Sequence, residues 1–315
     1  MSSVYGEGSA FSFRLKQEII DLQPMGNYEQ QLSAGDRDGQ TGEYLYAPEA
    51  DVLVVDDNSM NLKVAQNLLS LYGIKSDTAD SGRKALEKIK QRSYDVIFLD
   101  HMMPEMDGIE VIREIRSASL VSEQTVIIAL TANAIMGAKE MYISEGFNGY
   151  LTKPIESREL EKLLRKTLPE SKKQLRSVPA SKKRGELPAE EDSFSAAEIR
   201  RLFELCPGLN VAAGLHNCMD SREFWMDTLA GFIEADKAPQ LEKAFEEKNY
   251  ELYRITVHSI KSAAKTVGAD VVSEHARQLE AAAAAGDTGY INANHAEFIK
   301  EYRDLINNIE RVKEL

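Results

Sequence analysis

The first half of the chain alternates short apolar runs with amphipathic stretches. The runs VLVV (52–55), VIFL (96–99) and VIIAL (126–130) are rich in β-branched residues, as is typical of strands buried on both faces of a parallel sheet. Between them, stretches such as 61–71 repeat apolar residues at helical spacing. Strands that alternate with helices predict a doubly wound α/β domain, which we place at residues 50–168.

The second half consists of long helical patterns rich in Ala, Glu, Leu and Lys. Ser195 and Glu198 have the spacing of a capping box that opens the first helix. The candidate helices are 195–205, 221–235, 238–247, 249–266, 270–285 and 290–313. No convincing strand interrupts them, so we predict an all-α helical bundle over residues 193–315.

Polar segments flank the two predicted domains. Residues 169–192 include the basic run SKKQLRSVPASKKRGELPAEED, which has almost no large apolar side chain and is predicted to be a flexible linker. Its positive charge could also serve an acidic partner or nucleic acid, but its composition favours a solvated tether. Residues 1–49 are predicted to be a further tether that contains one short strand near 9–15.

Composition and charge narrow the classes of function. The net charge of −13 argues against general binding to nucleic acid. The longest aliphatic run is 126–130, far below the roughly 20 residues that a membrane helix needs. The two cysteines are Cys206 and Cys218, few enough for a reducing compartment, and we expect both in the core. These features predict a cytoplasmic protein.

Carboxylates follow two of the buried strands. Asp56 and Asp57 come directly after the first apolar run, and Asp100 comes directly after the second. The carboxyl ends of parallel strands meet at one sheet edge, where α/β domains bind ligands. Three carboxylates there would repel one another without a cation, and oxygen-only sites suit Mg²⁺. The sequence therefore predicts a magnesium site at this edge.

A hydroxyl and an ammonium join the acids at the same edge. Thr131 ends the third apolar run, and Lys153 follows the short strand GYLT (149–152). Acids, a cation, a hydroxyl and a lysine together form a site suited to phosphoryl transfer. Asp100 is the candidate nucleophile, because the adjacent pair of acids is better used on the metal.

Residues 51–167 resemble the receiver domain of two-component response regulators. The matching segments VLVVDDN, VIFLDHMMPEMDG, VIIALTA and GYLTKP occur in the family's order and at its spacing. The resemblance implies a flavodoxin-like parallel sheet of order 2-1-3-4-5 with five helices. It implies that Asp100 is the phosphoacceptor. The remaining roles that it implies are metal ligation by Asp57, by Asp56 through water and by the carbonyl of Met102, phosphoryl sensing by Thr131 and Lys153, and an aromatic switch at Tyr150.

One helical segment in the second half carries a histidine among cations. At 100° per residue, Arg254, His258, Lys261, Ser262 and Lys265 fall on one arc, away from most of the apolar positions. Such cations would stabilise a phosphoryl group and lower the pKa of the imidazole, which favours its nucleophilic neutral form. A solvated basic face that happens to hold a histidine gives the same periodicity, so periodicity alone leaves both interpretations open.

The sequence of that segment, VHSIKSAAKTVGA, resembles the phosphoacceptor helix of histidine phosphotransfer (HPt) domains. The resemblance implies a four-helix bundle over 193–315, with His258 exposed at mid-helix as a second phosphoacceptor. Ser262 stands where glycine is commoner in the family and keeps the position small. HPt domains lack an ATP site and exchange phosphoryl groups with receiver aspartates, so the resemblance predicts a phosphorelay protein.

The segment SVYGEGSAFSFRL near the start resembles the last glycine box and final strand of a histidine-kinase ATPase domain. The upstream ATP-binding boxes and a Walker A motif are not found, so ATP binding is not expected. We expect a sensor histidine kinase upstream and a receiver or response regulator downstream as partners. The alternatives are the C-terminal piece of an active hybrid histidine kinase and a DNA-binding response regulator. The acidic second half, with 14 basic and 23 acidic side chains over 190–315, opposes the latter.

Overall fold

The computed structural model describes residues 2–4, 8–10, 43–132, 138–177 and 194–313. The chain divides into two compact units, residues 1–42 and 43–315. In the first unit, strands β1 (Ser2–Val4) and β2 (Gly8–Ala10) pair antiparallel. The strand predicted over 9–15 overlaps β2 at its first two residues, and its remainder lies outside the described residues.

The second unit carries the sheet and the helices. Its strands are β3 (Glu43–Tyr46), β4 (Val52–Val55), β5 (Asp77–Ala79), β6 (Val96–Asp100), β7 (Val126–Thr131), β8 (Gly149–Thr152) and β9 (Gln174–Ser177). Its first helices are α1 (Ser59–Ser70), α2 (Gly82–Gln91), α3 (Gly108–Ser117), α4 (Ala138–Ser144) and α5 (Ser157–Thr167). The later helices are α6 (Ala196–Leu205), α7 (Val211–Asn217), α8 (Arg222–Glu234), α9 (Ala238–Glu246), α10 (Tyr250–Val267), α11 (Asp270–Ala285) and α12 (Thr288–Lys313).

Five strands form a parallel sheet in the order β5-β4-β6-β7-β8. Counted along this sheet, that order is 2-1-3-4-5, as predicted, and helices α1 to α5 complete a flavodoxin-like receiver fold. The central strands β4 and β6 are buried along their whole length, which explains their uninterrupted apolar runs. Because the strands are parallel, their carboxyl ends meet at one edge, where the predicted site residues lie.

The helical region agrees with the predicted segments to within about two residues at most ends, a normal uncertainty for helix boundaries. The capping box of Ser195 and Glu198 is present with both of its hydrogen bonds. Only α7, which has seven residues, was not predicted. Cys206 and Cys218 are buried and free, and Trp225 is fully buried with its indole Nε1 donating to the carbonyl of Val267 at 3.1 Å.

Two segments assigned to tethers from the sequence are part of the folded unit. β3 pairs antiparallel with β9, the side chain of Leu45 is fully buried, and the guanidinium of Arg176 lies 3.3 Å from the centre of the Tyr46 ring. Each of these two strands, EYLY and QLRS, has a single aliphatic residue and therefore gives no apolar run that would predict a strand. The predicted limits 1–49 and 169–192 were therefore too wide. The rest of the second segment, 178–192, lies outside the described residues.

The helical region packs directly on the receiver. Helix α1 contacts α8, where Met60 lies 3.7 Å from the position that a Cβ on Gly231 would occupy. One continuous apolar core runs from the α1 and α5 side of the sheet into the helical region, and a second core fills the opposite face. From the sequence we predicted two separate domains joined by a flexible linker. An apolar helix face that packs on another domain has the same sequence pattern as one that packs within its own domain.

None of the helices in the described part of the chain is both long and apolar enough to cross a membrane.

Candidate phosphotransfer site

The three predicted carboxylates converge at the carboxyl edge of the sheet. Asp56, Asp57 and Asp100 each offer an oxygen within 4.8 Å of the others. Asp56 and Asp100 are almost completely buried. The turn that follows Asp100 depends on Gly108, since a Cβ there would lie 2.3 Å from the carbonyl oxygen of Asp100. This cluster of oxygen ligands has the chemistry that Mg²⁺ prefers.

Lys153 holds two of these acids. Its Nζ lies 2.6 Å from Oδ2 of Asp56 and 2.6 Å from Oδ2 of Asp100, and its side chain is buried. Burial alone would lower the pKa of Lys153, but the two carboxylates raise it, so the ammonium stays charged. Burial raises the pKa of Asp100 to about 7, against the opposing charge of Lys153. The pair places a cation where a transferring phosphoryl group would need one.

The third acid is paired with a cation from the helical region. Nζ of Lys237, the residue before α9, lies 3.3 Å from Oδ2 of Asp57. Burial raises the pKa of Asp57, as does the neighbouring Asp56, while Lys237 counteracts both. Lys237 could not be selected from the sequence, because a contact with a residue 180 positions away leaves no local signal.

The remaining predicted receiver residues lie around the acids. The amide of Met102 donates to Oδ1 of Asp100 at 3.2 Å, whereas metal ligation by its carbonyl remains a prediction. Thr131 is buried near Tyr142: burial raises the pKa of the Tyr142 phenol, and the side chain of Thr131 counteracts it. The ring of Tyr142 also lies 6.1 Å from that of Tyr150, which is half-buried. Thr131 and Tyr150 therefore contact a common aromatic residue that the sequence analysis did not select.

His258 is buried, whereas the sequence analysis expected it to be exposed. Its side chain retains 3% exposure, because the receiver covers this part of α10. The ring of His101, which follows the candidate phosphoacceptor, packs edge-to-face against that of His258 with centroids 5.3 Å apart. The prediction was wrong on exposure because it treated the helical region alone. His101, which was not selected from the sequence, is thus a neighbour of the site.

The imidazole of His258 is oriented by Glu280 on α11. Its Nδ1 lies 2.6 Å from Oε1 of Glu280. Burial alone would raise the pKa of Glu280, but its bonds to His258 and Lys261 bring it down to about 2, so it is a carboxylate acceptor. Burial lowers the pKa of His258, although the hydrogen bond to Glu280 counteracts this effect. The lowered pKa favours the neutral ring. Nδ1 therefore carries the proton, and Nε2 is the free nucleophilic nitrogen.

A ring nitrogen of His258 lies close to the receiver's acid. Nε2 is buried without a hydrogen-bond partner. Asp100, His101 and His258 each offer a ligand atom within 4.8 Å of the others. A phosphorus atom between a carboxylate oxygen and an imidazole nitrogen needs a separation of this order. The two residues selected separately from the sequence as phosphoacceptors thus lie together.

The other predicted members of the cationic face divide into two groups. Lys261 is buried beside His258 through their shared partner Glu280, and Ser262 is buried on the next position of the helix. Arg254 instead bonds Glu251 on its own helix at 2.8 Å, and the exposed Lys265 pairs with Asp270 at 2.6 Å. The face is thus less cationic than its sequence indicated, because acids on both helices neutralise it.

The fold and the site define a receiver domain, and the comparisons with known proteins agree. Residues 52–165 match the family model described as the response regulator receiver domain. This part of the chain is homologous to the receiver domains of hybrid histidine kinases. The signal transduction histidine-protein kinase BarA of Escherichia coli K12 is 41% identical over 120 residues, which are 38% of this chain and 13% of BarA. The chain thus spans about an eighth of the length of the curated relatives it matches.

Two solved structures are similar to the same part of the chain. One is the magnesium-bound receiver domain of a sensor histidine kinase from Pseudomonas aeruginosa, at 34% identity and a TM-score of 0.34, covering 38% of this chain and 96% of that one. The other is the complex of the Saccharomyces cerevisiae phosphotransfer protein Ypd1 with the receiver domain of Ssk1, at 27% identity and a TM-score of 0.38, covering 40% and 93%. A receiver domain is a phosphoryl-accepting signalling module of two-component systems.

Proposed function

We propose that this chain is a two-domain phosphorelay protein in which Asp100 and His258 exchange a phosphoryl group. The observation that carries the proposal is the approach of the Asp100 carboxylate to a ring nitrogen of His258, whose Nε2 has no hydrogen-bond partner, across the contact between the receiver and the helical region. Two phosphoacceptor chemistries, one at the sheet edge and one on α10, have little other reason to meet in a buried place. In this proposal, residues 194–313 are a histidine phosphotransfer domain with α8, α10, α11 and α12 as its four-helix core.

The first step is phosphorylation of Asp100. A carboxylate oxygen of Asp100 attacks the phosphorus of a donor, the bond from phosphorus to the donor's leaving atom breaks, and an acyl phosphate forms. Lys153 and Thr131 lie where they can bond the equatorial oxygens. Thr131 would bond a phosphoryl oxygen, and because it lies near Tyr142, this would connect phosphorylation to the aromatic rings around Tyr150.

Mg²⁺ fits the carboxylate cluster and would be held by Asp56, Asp57 and Asp100, with the carbonyl of Met102 as a further ligand. When bound, it would neutralise charge on the phosphoryl oxygens.

The second step is transfer to His258. The lone pair on Nε2 attacks the phosphorus, the bond from phosphorus to the Asp100 oxygen breaks, and the carboxylate is regenerated. The imidazole becomes positively charged as the new bond from nitrogen to phosphorus forms. Glu280 stabilises that charge through its bond to the Nδ1 proton, and Lys261 lies beside Glu280. The same groups support the reverse transfer.

The proposal implies partners on both sides of the relay. A sensor histidine kinase would supply the phosphoryl group to Asp100, and a separate receiver domain or response regulator would accept it from His258. Because His258 is buried by the receiver of its own chain, an outside partner requires the helical region to leave its docked position. Binding to DNA is not part of the proposal, since the helical region is acidic.

The experiment that tests the function is a chase on the full chain. Asp100 is phosphorylated with acetyl phosphate and Mg²⁺, the donor is removed, and modified residues are identified by mass spectrometry at neutral pH and low temperature. A second aliquot is made alkaline, which hydrolyses phosphoaspartate and leaves phosphohistidine. We expect phosphohistidine at His258 to rise as phosphoaspartate at Asp100 falls. Phosphoaspartate that decays without any phosphohistidine would contradict the proposal.

A second candidate function is that of a hybrid histidine kinase of which this chain is a piece. It is favoured by the similarity to hybrid kinases that are far longer than this chain, and by the antiparallel pair of β1 and β2 within the segment that resembles an ATPase glycine box. Binding of ATP to this chain, measured by calorimetry, would favour it. The exchange between Asp100 and His258 is common to both candidates.

Lys237 should weaken binding of Mg²⁺ to the docked chain. Its ammonium lies 3.3 Å from Oδ2 of Asp57 and would compete with a metal ion for that carboxylate, so the Lys237→Met variant should bind Mg²⁺ roughly 3- to 10-fold more tightly, in line with an ion pair of about 1 kcal/mol. The measurement is a calorimetric titration with Mg²⁺. Lys243→Met on the same helix removes an exposed lysine and is the matched control. Equal affinities for the two variants would show that Lys237 does not compete.

A further inference from the structure

A cavity of about 340 Å³ lies between the receiver and the helical region. Its receiver wall is formed by Ala132, Lys153 and Pro154, and the opposite wall by α10 and α11. Because Lys153 also bonds Asp100 at 2.6 Å, the cavity opens directly beside the candidate phosphoacceptor. Cavities of this volume hold small molecules.

The lining of this cavity is rich in cations. The basic residues on its wall are Lys153, Lys261, Lys265 and Arg277, against two carboxylates, those of Asp270 and Glu274. Each of these cations has at least one acidic partner, such as Glu274 for Arg277 at 2.6 Å, and Lys153 has two. A lysine ammonium has three donors and a guanidinium has five, so these partners leave N–H groups for a further acceptor. The remaining donors suit an anion, which would bond several of them at once.

Ser262 adds a second and independent observation. Its side chain lines the cavity at 4% exposure, and its Oγ has no hydrogen-bond partner. A buried hydroxyl without a partner costs free energy unless something else bonds to it. Ser262 is also the position where the helix departs from the glycine that its sequence resemblance would favour. The hydroxyl is therefore a feature of this chain at the wall of a cationic cavity.

We propose that this cavity binds a small phosphate-bearing anion, either inorganic phosphate or a small acyl phosphate. The hydroxyl of Ser262 and the cations of α10, α11 and Lys153 would bond its oxygens. A bound anion would connect the receiver to the helical region and so stabilise the docked arrangement. The site lies beside the route between Asp100 and His258, but the binding does not require that transfer to occur.

The test is calorimetric titration of the full chain with inorganic phosphate and, separately, with acetyl phosphate, in EDTA and at constant ionic strength. Because these titrations involve neither a metal ion nor phosphoryl transfer, the measured affinity does not depend on whether the relay functions. We expect Arg277→Gln and Ser262→Ala to weaken binding at least about fivefold, since each removes a bond to a charged group. The matched control is Arg303→Gln, which breaks an ion pair of equal length with Glu242 far from the cavity.

The two titrations identify the source of the anion. Tighter binding of acetyl phosphate, lost in Arg277→Gln and Ser262→Ala, would assign the cavity to a small phosphodonor. Equal or tighter binding of inorganic phosphate with the same losses would assign it to the free ion. Binding of neither anion by the unaltered chain, or affinities that fall equally in Arg303→Gln, would overturn the proposal.

Discussion

Replacing Asp100 with asparagine should abolish labelling of the receiver by acetyl phosphate. The amide removes the nucleophilic oxygen, one oxygen of the carboxylate cluster and one of the two acids that hold Lys153. Because phosphoryl transfer then has no acceptor at the sheet edge, label from Mg²⁺ and acetyl phosphate should fall to background. The measurement is incorporation of phosphate into the intact chain by mass spectrometry.

The control for this variant keeps the fold and changes an acid outside the site. Asp95 directly precedes β6, at the opposite end of the strand from Asp100. It accepts hydrogen bonds from the amide of Asp51 and from Lys172. Asp95→Asn should be labelled like the unaltered chain. Labelling of Asp100→Asn at an undiminished level would mean that another residue is the phosphoacceptor and would contradict the assignment.

Replacing His258 with glutamine should abolish the second phosphorylated species while leaving the first intact. The glutamine retains a polar group near Glu280 but has no nucleophilic ring nitrogen, so phosphoaspartate should form and no phosphohistidine should follow. Its decay should be slower than in the unaltered chain if transfer to His258 is the faster route of loss. Mass spectrometry at neutral pH detects both modifications, and treatment with alkali distinguishes them because it hydrolyses phosphoaspartate and leaves phosphohistidine.

Two further variants separate the nucleophile from its surroundings. Glu280→Gln keeps a hydrogen-bond acceptor for Nδ1 but removes the charge, so phosphohistidine should still form, only more slowly. His275→Gln, which alters a more exposed histidine on α11, should behave like the unaltered chain. Phosphohistidine that persists in His258→Gln would assign the second acceptor to a different histidine.

Much of the receiver could be predicted because its strands are buried on both faces. The apolar runs in β4, β6 and β7 contain no polar residue, and a residue of the site follows each run directly. The same sequence pattern therefore predicts both the sheet and its functional edge. By contrast, β5 (DTA) and β3 (EYLY) mix polar with apolar residues over only three and four positions, so neither gives an uninterrupted apolar run. Their positions depend on long-range pairing, which the local sequence does not record.

The same limit explains the errors at the site. The exposure of His258 was misjudged because the group that buries it, the receiver with His101, lies far away in the sequence. Glu280 and Lys237 were not selected, since a carboxylate on α11 and a lysine before α9 look like ordinary surface charges. A phosphoacceptor embedded in a family motif can be recognised, whereas the residues that orient it depend on tertiary contacts.

The measurement that tests the central claim most directly is the rate of transfer from Asp100 to His258 as the chain is diluted. Because a carboxylate oxygen of Asp100 and a ring nitrogen of His258 lie within 4.8 Å in one folded unit, transfer within a chain should be first order. After phosphorylation with acetyl phosphate and removal of the donor, the rate constant should stay the same over about a hundredfold dilution. A rate that falls in proportion to concentration, or the absence of label on His258 at every concentration, would contradict the account.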